Sequence, residues 1–419
     1  MDTFMGTFER LESNIRSYCR AFPTVFTRAR NATLEDVAGK SYIDFFAGAS
    51  TLNYGHNNPH FKAPLITYIN EDGITHGLDM ATSAKQHFLE TFERTILQPR
   101  NLKYKVQFTG PTGTNAVEAA LKLARKVTGR HTVVAFTNGF HGMSLGSVAA
   151  TGNRHYRQAA GVPLTNVAFM PYDGYFGPEV DTLCYLERML ADTGSGLDHP
   201  AAVIVETIQG EGGINVARIE WLHRLAALCL RYDILLIVDD IQMGCGRTGA
   251  FFSFEEAGIV PDLITLSKSL SGYGLPMSVV LIRPELDQWQ PGEHTGTFRG
   301  NNLAFVTGTA ALDHYWQDAQ FAQEVQRKGN HLHNRLVCMA EQHAGLPLTV
   351  RGRGMMRAVD CQTGEHAQAV CRTAFEHGLV IETSGARDQV IKCIPPLTIP
   401  DDELDAGLDI LCESLACVR

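Results

Sequence analysis

The chain has 419 residues, 44% of them hydrophobic and 19% charged, with a formal net charge of −9. That length suits one large core and a smaller second one, and the ordinary residue usage excludes a fibrous or disordered chain. The acidic balance offers no electrostatic footprint for nucleic acid or an anionic membrane.

The N-terminal MDTFMGTFERLESN has no basic start followed by an apolar run, so no signal peptide is expected. The most apolar stretches, at 201–206, 234–239 and 277–282, are far shorter than the ~18 residues of a membrane helix. Ten cysteines are scattered and none forms a C-x-x-C pair, which speaks against a zinc site and for a reducing cytoplasm. Cys184, Cys229, Cys338 and Cys412 stand among apolar neighbours and are expected to be small core side chains.

In chain order, YKVQFT (104–109) predicts a strand. Residues 114–127 place Ala116, Val117, Ala120, Leu121, Ala124 and Val127 on one helical face. TVVAFT (132–137) predicts the next strand, and AAVIVE (201–206) another before a helix over 219–232. ILLIVD (234–239) and DLITLS (262–267) follow. Apolar runs without alternation indicate strands buried on both faces, and strands alternating with helices indicate a mostly parallel sheet. The α/β pattern defines a large domain at 50–300. Residues 1–49 and 301–419, with helical patterns at 321–344 and 365–377, are expected to form a small α+β domain.

In open α/β sheets ligands bind at the carboxyl ends of strands. Glu206, the Asp239–Asp240 pair and Lys268 each end an apolar strand here. Gly113-Thr114 opens a helix after one strand, and Phe140-His141 follows another. A helix start offers free backbone N–H groups and the positive dipole end to a phosphate. A carboxylate such as Asp239 can keep a pyridine nitrogen protonated, Phe140 can stack on a ring, and a lysine amine can form an imine and then move a proton. Alone, each has an ordinary reading: a helix cap, a turn carboxylate, an exposed lysine, a packing aromatic. Their joint occurrence at successive strand ends suits a phosphorylated pyridine aldehyde. A dinucleotide fingerprint, Gly244-Cys-Gly246-Arg-Thr-Gly249, is also present. It stands five residues past its strand, no amphipathic helix follows, and Lys268 occupies the place where a ribose-binding acid is wanted.

These segments resemble the class III (ω-type) aminotransferases of pyridoxal 5′-phosphate (PLP) fold type I. The motifs that carry the resemblance run from YIDFFAGASTLNYGHNNP (42–59) through GPTGTNAVEAALKLAR (110–125), NGFHGMSLG (138–146), VETIQGEGG (205–213), VDDIQMGCGRTG (238–249), LSKSLSGYGLP (266–276) and GTFRGNNLA (296–304) to IPPLTI (394–399). The resemblance implies a large, mostly parallel-sheet domain beside a small α+β domain. It implies Gly113 and Thr114 at the phosphate, Phe140 on the ring, Asp239 at the pyridine nitrogen, Gln242 near the ring hydroxyl and Lys268 as the imine-forming lysine. It also implies that Thr297 reaches the phosphate of a neighbouring subunit, hence a homodimer or larger homo-oligomer with shared sites. Glu206 and Glu211 are implied on the substrate side.

Within the family the match is to the ectoine-type branch, whose short lead-in FERLESNIRSYCRAFP also fits. That branch implies exchange between L-glutamate and L-aspartate 4-semialdehyde, yielding 2-oxoglutarate and L-2,4-diaminobutyrate, with a potassium dependence for which no ion site can be read. Two departures bear on substrate carboxylates. Lys392 stands where ornithine-type relatives carry a gripping arginine, and Met143 where they carry another. Lys392 is expected to pair with Glu211, and Arg299 is a further candidate carboxylate partner or else an interface residue. Rival expectations are an ornithine- or 4-aminobutyrate-type transaminase, an aminomutase, or a cofactor-binding regulator without turnover.

Overall fold

The computed structural model of the chain describes residues 5–418. Its largest sheet has seven strands: β1 (Lys105–Phe108), β2 (Val133–Phe136), β3 (Val167–Met170), β4 (Ala202–Val205), β5 (Leu235–Asp239), β6 (Leu263–Leu266) and β7 (Val279–Ile282). Their order across the sheet is β1-β7-β6-β5-β4-β2-β3. All neighbours are parallel except β7, which runs antiparallel to both β6 and β1. Every residue of β2, β4, β6 and β7 is buried, as non-alternating apolar runs require when helices cover both faces.

One covering helix, α1 (Gly113–Thr128), turns Ala116, Val117, Ala120, Leu121 and Ala124 inward. Another, α2 (Ile219–Arg231), does the same with Trp221, Leu222, Leu225 and Cys229. Sequence pattern did not reveal β3. It has four residues at the sheet edge, and three of them are only partly buried.

Helix α3 (Asn302–Tyr315) lies beyond the boundary read at residue 300, yet its Ala304, Phe305 and Leu312 belong to the large core. The second core gathers Val325, Leu332 and Leu336 of α4 (Gln320–Gln342), Val370 of α5 (Gly364–Glu376) and Leu404, Leu408 and Leu411 of α6 (Asp401–Cys417) around Ala32, Phe45 and Ile391. We therefore propose a seam just after α3. Two four-stranded sheets complete the small domain. One joins Phe26–Arg30, Thr33–Asp36, Ser41–Asp44 and Leu379–Val380; the other joins Thr349–Arg353, Met356–Asp360, Val390–Cys393 and Glu382–Ser384.

The loop Gly244–Gly249 is no dinucleotide turn. It carries Arg247, which is wholly buried at the seam and donates to Asn53 Oδ1 and to the Pro395 carbonyl, each at 2.6 Å. Burial lowers that guanidinium to about 9. Of the four cysteines expected in the core, only Cys229 is buried; Cys184 and Cys338 are exposed and Cys412 half-buried. Apolar sequence neighbours do not decide which face of a helix a side chain takes. No helix among the described residues is long and apolar enough to cross a membrane.

Candidate active site

Strand register assembles the site. Asp239 ends β5 opposite Thr265 of β6, and the chain leaves β6 through Ser267 into Lys268. Lys268 has φ +49, a left-handed backbone that a non-glycine residue adopts at a cost of about 1 kcal/mol or more. Such strain held by its surroundings is a mark of a functional position. Burial lowers the Lys268 amine to about 8, against the opposing pull of Glu211.

Asp239 is buried and fully engaged. Its Oδ2 lies 2.7 Å from His141 Nδ1, and its Oδ1 accepts from the Thr265 hydroxyl at 3.1 Å and the Ile241 N–H at 3.3 Å. Burial alone pulls the His141 imidazole down, but the hydrogen bond and charge of Asp239, helped by Glu206, leave it raised. Sequence pattern offers His141 no role beyond packing beside Phe140; the structure makes it the hydrogen-bond partner of Asp239. Phe140 packs edge-on against Tyr156, ring centres 5.4 Å apart, and its N–H donates to Glu206 Oε1 at 2.9 Å. Glu206 also accepts from the Gly210 N–H at 3.2 Å, and burial pushes its carboxyl up to about 7.

The start of α1 forms an anion cradle. The N–H groups of Gly113 and Thr114 have no helical partner, as at any helix N-terminus, while that of Asn115 is capped by Thr112. A Cβ at Gly113 would lie 2.9 Å from Ile241 Cδ1, so only glycine leaves the turn its shape. Gly142, at φ +126, brings its loop so close to Thr114 that a Cβ would strike the Thr114 side chain. Thr114 Oγ1 and Ser144 Oγ are 2.7 Å apart, and Glu118 Oε1 accepts from Ser144 Oγ at 2.5 Å and the Ser147 N–H at 3.0 Å. The hydroxyls, the glycine turn and the free N–H groups fit a phosphate, and the Asp239 carboxylate fits a pyridinium.

One wall of the site carries a chain of charges. Lys392 Nζ donates to Glu211 Oε1 at 2.8 Å and lies 2.6 Å from Glu382 Oε1, and none of the lysine side chain is exposed. The pairing of Lys392 with Glu211 expected from sequence is thus present; Glu382 was not foreseen. Gln242 Nε2 donates to the same Glu211 oxygen at 3.1 Å and to the Ala49 carbonyl at 3.3 Å, so one side chain reaches from the strand loop to the charge cluster. Burial works against the Glu211 charge, yet Lys392 and Lys268 outweigh it and hold the carboxyl at about 2. A cavity of about 180 Å³ opens between Phe140, Tyr156, Arg154 and Glu211.

Arg299 is not brought to this wall. Arg299 Nη2 is 2.5 Å from Asp79 Oδ2, and Arg299 also donates to the His294 carbonyl at 3.2 Å. Its charge is therefore engaged with Asp79, away from the Glu211–Lys392 cluster. Thr297 is exposed beside Phe298, which is 65% exposed.

A profile of class-III aminotransferases matches residues 16–415, and the chain belongs to that family. The fold is type I of the PLP enzymes, and the cofactor is pyridoxal 5′-phosphate. The diaminobutyrate–2-oxoglutarate transaminase of Bordetella parapertussis is 62% identical over 410 residues, covering 98% of this chain and 94% of that protein. The Halomonas elongata protein of the same name is 59% identical over 406 residues, covering 96% of each. Among solved structures, the ornithine aminotransferase of Toxoplasma gondii superposes with a TM-score of 0.86 at 28% identity, covering 99% of this chain and 94% of that one.

Proposed function

We propose that this chain moves the amino group of L-glutamate to the aldehyde carbon of L-aspartate 4-semialdehyde, releasing 2-oxoglutarate and L-2,4-diaminobutyrate. The names of the relatives at about 60% identity over nearly the whole chain support the substrates. The observation that carries the chemistry is the strained, half-buried Lys268, its amine lowered to about 8, between Asp239 and the Glu211–Lys392 cluster.

Bound here, pyridoxal phosphate supplies an electron sink that makes the α-proton of an amino acid acidic. Gly113, Thr114 and Ser144 would hold its phosphate, Asp239 its ring nitrogen, Phe140 its ring face and Gln242 its ring hydroxyl. Lys268 would tether it through its amine. His141 holds Asp239 in place through its 2.7 Å contact, aiming the carboxylate where the ring nitrogen would sit. Lys268 Nζ, near neutrality once freed, takes the proton from the glutamate α-carbon. In the second half-reaction it returns a proton to the former aldehyde carbon of the acceptor. Glu211 and Lys392 close on each other when no carboxylate is present and part when one enters, so one wall serves both substrates.

Thr297, exposed in its own chain, suits the cradle of a second copy. Ten free cysteines among the described residues suit the reducing cytoplasm. The test is an assay of glutamate with aspartate semialdehyde, products identified by mass, beside ornithine and 4-aminobutyrate as donors. Diaminobutyrate is the expected product. Faster turnover of either rival donor overturns the substrate assignment, and no glutamate half-reaction at all overturns transamination.

A further inference from the structure

The cluster behind the substrate cavity holds one carboxylate more than its own lysine neutralises. Glu382 and Lys392 are directly opposed across an antiparallel strand pair, which puts both side chains on one face. Lys392 is completely buried and Glu382 is 8% exposed, so water cannot screen either. Glu211 approaches the same ammonium from the large domain, at 2.8 Å. Lys392 Nζ lies 2.6 Å from Glu382 Oε1, an ion pair, and Glu382 Oε1 has no other partner among the described residues. Lys392 is thus shared by two anions, one of which can leave.

From this we propose that Glu382 is a positioning residue that sets the charge of the pocket, and that a dicarboxylate entering at Lys392 is accompanied by proton uptake at Glu382. The inference rests on the glutamate donor named above. When a substrate carboxylate replaces Glu211 at Lys392, a second anion faces Glu382 across one ammonium while Glu211 remains nearby. Ionised, Glu382 repels the newcomer; protonated, it leaves Lys392 a full charge to offer. A buried charge is relieved more readily by gaining a proton than by tolerating the repulsion. An arginine at 392 would bind both oxygens of the newcomer, whereas a lysine supplies a point charge whose strength depends on its other neighbour.

The groups facing Glu382 agree with this role. Lys392 and Lys268 favour its charge, while burial and Glu211 oppose it, and the carboxyl rises to about 7. The Tyr18 and Tyr156 hydroxyls, which feel both glutamates, and the Cys371 thiol on α5 are all raised further from neutrality. Glu382 is therefore the member of the cluster able to change protonation near neutrality when an anion arrives.

The experiment uses the full chain loaded with pyridoxal phosphate and glutarate, a dicarboxylate with no amine to react. Binding heats are measured by calorimetry near pH 7 in two buffers of different ionisation enthalpy. A fraction of a proton is expected to be taken up per glutarate bound. In Glu382→Gln the uptake disappears and glutarate binds several-fold tighter, without the loss of affinity that the native protein shows from pH 6 to pH 8. Glu382→Asp keeps the charge and is expected to keep the uptake. Cofactor absorbance and Tm report whether each variant is folded. Buffer-independent heats in the native protein, uptake surviving in Glu382→Gln, or no glutarate binding each overturn the proposal. If diaminobutyrate is not the product but the uptake is seen, the substrate assignment falls and the charge device stands.

Discussion

On the cofactor side, Asp239 ends one strand and Lys268 follows the end of its parallel neighbour, with Asp239 in register with Thr265. On the substrate side, Glu211, Glu382 and Lys392 come from a loop and two strands in different domains, Glu211 and Lys392 being 181 residues apart. The first arrangement is fixed by the backbone of one sheet. The second is fixed by a balance of charges across a seam. A site whose scaffold is rigid where the cofactor sits and electrostatically held where substrates exchange can use one machinery for two differently shaped amino-group carriers.

If the sheet edge supplies the chemistry, Lys268→Ala is expected to lower turnover by about 10⁴-fold or more while leaving the fold intact, because the proton-moving amine is gone. The measurement is the glutamate half-reaction followed by cofactor absorbance, with Tm as control. Full turnover in the variant would remove Lys268 from the mechanism.

The substrate wall is expected to fail differently, through stability. Lys392→Met leaves Glu211 and Glu382 facing each other without their cation. Removing one member of a buried ionic group costs about 3–5 kcal/mol. The loss is expected to be larger at pH 8 than at pH 6, since at the lower pH the orphaned carboxyls can protonate. Chemical denaturation at both values checks it; a loss below about 1 kcal/mol at pH 8 would mean the cluster does not hold this wall together.

Asp239→Asn tests whether the cofactor side depends on charge as well as position. The side chain keeps its shape, but the ring nitrogen and His141 both lose their anion. We expect the glutamate half-reaction to slow by about 10²–10³-fold, the scale of losing one preorganised electrostatic contact. His141 is raised now because Asp239 and Glu206 overcome its burial. Without Asp239, burial dominates and the imidazole is expected to titrate below its ordinary value, which NMR of labelled histidine can follow. An unchanged His141 titration would break the pairing.

The same contrast explains what was legible in the sequence. Strands buried on both faces leave uninterrupted apolar runs, so β4, β5 and β6 and the polar residues ending them could be placed without coordinates. The helix start at Gly113-Thr114 was legible for the same reason. His141 was not, because a hydrogen bond spanning 98 residues leaves no local pattern. Arg299 drew attention by its residue type and turned out to be engaged with Asp79. Glu382 did leave a trace. LVIETS and VIKCI are apolar strands each interrupted by a single charge, of opposite sign and ten residues apart. Charges are rarely buried unless paired, so two such interruptions near a hairpin point to each other across the strands.

Asp239 and Asp240 are chain neighbours with opposite circumstances, which gives the smallest prediction. Asp239 has His141 to balance it. Asp240 Oδ2 accepts from the Ser253 N–H at 3.1 Å, but its Oδ1 has no partner among the described residues and no cation pairs with it. Burial pushes the Asp240 carboxyl up to about 7 from an ordinary 3.8. A carboxyl that holds its proton more tightly when folded makes the folded state less favourable as pH rises between those two values. Asp240→Asn removes the charge and keeps an oxygen for the Ser253 N–H. The variant is expected to be more stable than the native chain by about 1–3 kcal/mol at pH 8, with the difference shrinking steadily as pH falls from 7 and closing only near pH 4. Denaturation at pH 5, 6 and 8 measures it. A gain that did not vary with pH would trace to packing instead of charge, and a loss at pH 8 would mean that the ionised Asp240 has a partner which the neutral amide cannot satisfy.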